Sequence, residues 1–285
     1  MNRADRRRRQ RSEKKAAASR VRKTPSSENG AAGNTAIDGM KLIEAVHAGA
    51  DIPKHTDILH AGDMVGQLPF LKLYQDCIDA SGTTMESWKS LRRIGRARNL
   101  ARYFNYSLGL GGAAIECGVY KGFSALLMAR IWQAKDLAFS GKGLHIVDSF
   151  AGLSPPVVDD LVDNGQPDEG VLYHQAGHFA VPLEHVRDVL SGYPDIMAYK
   201  GWIPEVLSHI PDQTWSFVHI DVDLYEPTKA AAEYFLPRLA PGGIMINDDF
   251  DSPLFPGGGS GWREALGDRS YAVLDTGQAV YIHNA

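Results

Sequence analysis

Two rhythms of apolar and polar positions alternate along most of this chain. From Ala113 onward, short apolar runs of strand length are separated by stretches whose apolar residues recur at helical spacing. The runs are AAIECGV (113–119), LHIVDSF (144–150), DIMAYKG (195–201), WSFVHIDVD (215–223) and GGIMINDDF (242–250). Between them FSALLMARIWQAK, LEHVRDVLSG and PTKAAAEYFLPRL read as helices. The last two runs, SYAVLDTG and QAVYIHN, are joined by a turn at Thr276-Gly277-Gln278 and predict a hairpin. Apolar strands alternating with helices predict an α/β, Rossmann-like fold. Its seven-stranded sheet is mostly parallel, covered on both faces and closed by a C-terminal antiparallel hairpin.

Upstream, TTMESWKSLRRIGRARNLARYFNYSL starts near Thr84 with Glu86 close behind, which suits a helix N-terminus, and Gly109 to Gly112 ends it. Its arginines Arg92, Arg93, Arg96 and Arg98 read as a solvated basic face, with a pocket cover or a homo-oligomer contact as alternatives. Residues 37–82 hold shorter amphipathic pieces broken by Pro53 and Pro69, and read as a helical or lid segment before a main domain at 83–285. After Phe250, SPLFPGGGSGWREAL reads as a loose, glycine-rich loop.

Charge changes the picture at the N-terminus. Residues 1–30 carry 11 Lys/Arg against 3 acids, while the whole 285-residue chain has a net charge of −4. With few large apolar side chains, residues 1–36 cannot offset their ordering entropy and are expected to be a disordered basic tail. No apolar core follows the basic run, so a secretory signal is not expected, and no apolar stretch is long enough to span a membrane. The two cysteines, Cys77 and Cys117, lack metal-site spacing and fit a reducing, cytoplasmic setting. A nucleic-acid partner is not expected.

The first strand runs into Glu116-Cys117-Gly118-Val119-Tyr120-Lys121-Gly122-Phe123-Ser124, spaced E-x-G-x-x-x-G-x-S. Such a strand-to-helix turn lets backbone approach a ligand, at the position where open α/β sheets bind nucleotide-like cofactors. A plain tight turn is the alternative. The spacing matches neither the dinucleotide fingerprint nor a P-loop, and Glu116 would repel phosphates while attracting a sulfonium or amino group. The next strand ends in Asp148 and Ser149, where a carboxylate can grip a ribose diol. Together these favour S-adenosylmethionine. Gly201 and Trp202, after the third strand, fall near the expected adenine site.

Two runs end in acids: Asp221 and Asp223, then Asp248 and Asp249. Parallel neighbours lie about 4.8 Å apart, so adjacent strands bring Asp221 close to Asp248 and Asp249. Carboxylates this close repel unless a cation neutralises them, and oxygen ligands suggest Mg²⁺, with Ca²⁺ or Mn²⁺ left open. Asp223 reads as a metal ligand or as a cap for the following helix. His219 reads as a core histidine satisfied by a backbone carbonyl.

ECGVYKGFSA, DSFAGL, HIDVDLYEPTKAAAEYFLPRLAPGGIMINDDF and the TTMES helix together resemble the macrocin O-methyltransferase family, over roughly Thr83 to Ala285. The resemblance implies a class I methyltransferase dependent on S-adenosylmethionine and Mg²⁺ that methylates a hydroxyl of a small molecule, such as a sugar of a natural product. It implies that Glu116, Gly118 and Ser124 belong to the cofactor loop and Asp148 and Ser149 to the ribose end. Asp221 would be metal ligand and general base, with Asp248 and Asp249 completing the metal site. The segment after Phe250 departs from the family pattern and should border the acceptor pocket. A phenol or nucleic-acid acceptor, a hydroxylase on the same scaffold and a non-catalytic cofactor-binding protein are the alternatives.

Overall fold

The computed structural model describes residues 64–65, 68–83, 87–161 and 175–284. The expected basic tail at 1–36 and the helix start at Thr84 lie outside the described residues. Nine strands are described: β1 (Met64–Val65), β2 (Leu68–Pro69), β3 (Ala113–Cys117), β4 (Leu144–Asp148), β5 (Met197–Lys200), β6 (Trp215–Ile220), β7 (Leu239–Asn247), β8 (Ala272–Val273) and β9 (Ala279–Ile282). Six α-helices accompany them: α1 (Phe70–Ser81), α2 (Ser87–Ser107), α3 (Phe123–Lys135), α4 (Leu183–Val189), α5 (Tyr225–Phe235) and α6 (Pro256–Leu266).

The main sheet is seven-stranded in the order β5-β4-β3-β6-β7-β9-β8. β5 through β7 pair in parallel, and β9 is antiparallel to both β7 and β8. The chain moves outward from β3 to β5 and then returns to β6 on the other side of β3. That reversal opens a crevice at the carboxyl ends of β3 and β6, where such sheets bind ligands.

Period-two alternation sends side chains of each strand to opposite cores. Phe217 packs with Phe104 of α2, ring centroids 5.2 Å apart, under α1 to α4. Trp215 packs edge-on to Phe235 of α5 at 5.4 Å, on the opposite face. Helix α1 starts after Pro69 and buries Phe70, Leu71, Leu73, Tyr74, Cys77 and Ile78 in the first of these cores. Its apolar face is therefore built into the sheet's own packing.

Helix α6 corrects the expectation of a loose loop after Phe250. Four glycines in eleven residues weaken helix propensity, but packing against α5 and the preceding turn requires them. A Cβ on Gly257 would lie 1.9 Å from Asp160 Oδ1, one on Gly259 2.2 Å from the Phe250 carbonyl oxygen, and one on Gly261 2.5 Å from that of Tyr225. Trp262, fully buried, anchors the helix in the core.

Candidate active site

Backbone bonds across the sheet set the strand tips level. Gly118 N–H donates to the Val147 carbonyl at 2.9 Å, Asp221 N–H to that of Cys117 at 2.8 Å, and Asp248 N–H to that of Ile220 at 2.9 Å. Gly118 sits at φ 84°, and a Cβ there would fall 1.9 Å from the Asp221 carbonyl oxygen. Glycine is needed because the turn after β3 presses against the end of β6.

Above these tips lies a cavity of about 610 Å³, lined among others by Gly118, Tyr120, Ser124, Asp148, Ser149, Gly201, Trp202, Asp221, Asp223, Asp248 and Asp249. Most residues expected at a cofactor site are thus brought together. Glu116, Cys117 and Gly122 are not among the lining. Cys117 is buried in the α5-side core, and a Cβ on Gly122 would face Val186 and Val189. Glu116, fully buried, bonds His219 Nδ1 through Oε1 at 2.9 Å. Expectations are corrected here: Glu116 faces a histidine across the strand pair rather than the cavity, Cys117 and Gly122 lie outside the lining, and His219 Nδ1 meets a carboxylate rather than a carbonyl.

Asp148 orders the glycine turn. Its Oδ2 accepts from the N–H groups of Val119 (2.7 Å) and Tyr120 (3.2 Å), and its Oδ1 from Phe150 (2.7 Å). A carboxylate offers about four acceptor positions, so roughly one remains for a ligand hydroxyl. Trp202, 48% exposed, is fixed by its indole N–H donating to the Gly152 carbonyl at 3.1 Å. Tyr120, Phe179 and Asp223 all have positive φ and all line the cavity, which concentrates backbone strain there.

Asp221, Asp248 and Asp249 each offer a carboxylate oxygen, and the three lie within 4.8 Å of one another. At an effective dielectric near 20, two charges about 4 Å apart repel by about 4 kcal/mol. Burial, followed by the fields of Asp248 and Asp249, raises the Asp221 pKa well above its usual 3.8. Burial and then Asp249 do the same for Asp223, and burial and then Asp248 raise Asp249. Burial alone would raise Asp248 as well, but Arg96, His219 and Gln278 pull it below its usual value. Burial would lower His219, yet the nearby Asp248 carboxylate, the hydrogen bond to Glu116 and the fields of Glu116 and Asp221 raise it to about 10.

Arg96 reaches into this rim from α2, its Nη1 2.6 Å from Asp248 Oδ2 and 3.4 Å from Asp249 Oδ1. The solvated basic face expected for the helix is therefore corrected at this position. Asp223 does not cap α5. That role falls to buried Asp160, whose Oδ1 accepts from Tyr225 N–H at 2.6 Å while Oδ2 accepts from Val157 N–H at 2.8 Å. Asp160 lay beyond sequence reasoning, and for Arg96 the sequence offered a pocket cover as an alternative but not its carboxylate partners, because each acts across a long separation with no local pattern.

The donor set suits a hard divalent cation. All ligand atoms are carboxylate oxygens, their spread is one that a single ion can bridge, and Asp249 Oδ2 is buried with no hydrogen-bond partner. Among the described residues, Arg96 and His219 are the cations held against the carboxylates of this rim, and the raised pKa values of Asp221, Asp223 and Asp249 show that these two do not offset its negative charge.

A sheet of this order, with a glycine turn and acids at its switch point, defines the class I methyltransferase fold. Solved structures share it: the calicheamicin methyltransferase CalS11 aligns with TM-score 0.58 at 18% identity over 92% of this chain and 99% of that one. The O-methyltransferase NovP aligns with TM-score 0.54 at 23% identity over 67% of this chain and 81% of that one. The sequence profile of Macrocin-O-methyltransferase (TylF) matches residues 82–255, and the chain belongs to that family. Among characterised relatives, the 8-demethyl-8-(2,3-dimethoxy-alpha-L-rhamnosyl)-tetracenomycin-C 4'-O-methyltransferase of Streptomyces olivaceus is 33% identical over 147 residues. That match covers 50% of this chain and 54% of the relative, so the chain spans about half the relative's length. The Mycinamicin III 3''-O-methyltransferase of Micromonospora griseorubida is 24% identical over 70% of this chain and 78% of its own. Among the described residues no helix is long and apolar enough to cross a membrane.

Proposed function

We propose that this chain is an O-methyltransferase that uses S-adenosylmethionine and a divalent metal, with Mg²⁺ the favoured ion. Its acceptor is a hydroxyl of a small molecule, with a sugar of a glycosylated natural product favoured. The observation that carries this reading is the convergence of Asp221, Asp248 and Asp249 beside the Gly118 turn in one cavity. The relatives' activities on a rhamnosyl-tetracenomycin and on mycinamicin III support the acceptor class.

Bound S-adenosylmethionine supplies an electrophilic methyl group, and a bound divalent cation supplies a Lewis acid that lowers the pKa of an acceptor hydroxyl. Asp148, Ser149, Gly201 and Trp202 hold the adenosine end of the donor. Gly118, Tyr120 and Ser124 hold its amino-acid end, while Glu116, Cys117 and Gly122 shape the turn from outside the cavity. Asp221, Asp248 and Asp249 hold the metal. Asp221 is the general base: its carboxylate receives the acceptor's proton, and burial among like charges strengthens its affinity for that proton. Phe179 and Phe255, which line the cavity, exclude water and orient the acceptor for in-line transfer.

The test is methyl transfer from labelled donor to a panel of glycosides, phenols and RNA, run in Mg²⁺ and in EDTA. Transfer to a glycoside hydroxyl that EDTA abolishes and Mg²⁺ restores is the expected result. Full transfer in EDTA overturns the metal role, and transfer confined to phenols or RNA overturns the acceptor class.

A further inference from the structure

We propose that Arg96 is the built-in counter-cation of the acidic rim, a positioning residue whose hold on Asp249 a divalent metal has to replace. The inference rests on the metal reading above. Arg96 stands on α2, while the acids it meets stand 152 and 153 residues further along, beyond the tip of β7. Its side chain is only 17% exposed, and its Nε donates to the Thr276 carbonyl at 3.4 Å. A guanidinium fits this place because its planar fork can serve two carboxylates at once, which a lysine ammonium matches poorly.

The two carboxylates are held unequally. Asp248 is nearly saturated: Oδ2 takes Arg96 at 2.6 Å, and Oδ1 takes Gln278 Nε2 at 2.7 Å with His219 Nε2 3.7 Å away. Among the described residues Asp249 has a long 3.4 Å contact to Arg96 on Oδ1 and like-charged neighbours in Asp221 and Asp223, and its buried Oδ2 has no hydrogen-bond partner. Asp248 is therefore fixed, and Asp249 is the ligand free to change partners. The Arg96 charge, together with His219, holds the metal-free rim without neutralising it. The same charge repels an incoming divalent ion and occupies a lone pair that ion needs, so Arg96 trades metal affinity for stability of the metal-free protein.

The test titrates Mn²⁺ into the full chain by calorimetry and measures thermal unfolding in EDTA for wild type, Arg96→Met and Arg96→Lys. Arg96→Met is expected to unfold several degrees lower without metal, to bind Mn²⁺ at least about tenfold more tightly, and to gain more thermal stability from Mn²⁺ than wild type. Arg96→Lys keeps the charge and is expected to bind Mn²⁺ within about threefold of wild type. Should the methionine variant not fold, Arg96→Gln carries the same expectation. Mn²⁺ affinity that is unchanged or weaker when the charge is removed overturns the inference and leaves the metal reading standing. Absence of Mn²⁺ binding in every protein overturns both.

Discussion

Asp221 occupies the tightest position in the rim, its main chain pressed against Gly118 and its carboxylate among Asp248 and Asp249. Asp221→Asn keeps the shape and removes the proton acceptor. We expect methyl transfer to fall at least about a hundredfold, the scale of a lost general base, while calorimetry finds donor binding retained. Retained turnover would remove Asp221 from the chemistry. Glu116 makes a different prediction. Glu116→Ala leaves His219 buried without its carboxylate, and breaking such a pair costs about 3–5 kcal/mol, to be read from urea unfolding. The three metal-rim acids were legible because each ends an apolar run, and the strand register needed to bring them together follows from the βα alternation. The Glu116–His219 pair was not, since nothing in either strand states which neighbour its polar residue will meet.

Helix α3 spans the segment its apolar spacing predicts, Phe123–Lys135, with Gly122 at its start. Helix α6 shows the opposite case. Its glycines argue against a helix when propensity is weighed alone, and only the closeness of α5, Asp160 and Phe250 explains them. Gly257→Ala places a methyl group into the Asp160 carboxylate and the Tyr225 N–H, the bond that caps α5. The expected loss is about 1–3 kcal/mol, or several degrees in thermal unfolding. An unchanged Tm would mean that α5 and α6 are not packed this closely.

Taken as a whole, the molecule concentrates like charge at one point of its sheet, and this sets its response to pH. Asp221 and Asp223 have folded pKa values raised above 3.8. The stability linked to their protonation is complete below the unfolded value and is lost as pH rises through the raised folded values. Asp248 is shifted the other way, so its contribution is present above its unfolded value and lost only in acid. The bonds of His219 hold until pH passes about 10. In EDTA the Tm is therefore expected to fall as pH rises above the ordinary carboxylate range, and saturating Mg²⁺ should suppress that fall. Parallel pH profiles with and without Mg²⁺ would contradict it. That β6 lies beside β7 could be read from the sequence, because alternating strands and helices leave few right-handed arrangements. The charge balance could not, because nothing in the helix that carries Arg96 states which acids, 152 and 153 residues further along, it will meet.

Anomalous diffraction from crystals soaked in Mn²⁺ decides whether these acids share one ion. One peak is expected within about 2–2.6 Å of a carboxylate oxygen from each of Asp221, Asp248 and Asp249. A peak held by other residues, or none at all in a protein that still transfers methyl groups, would contradict it.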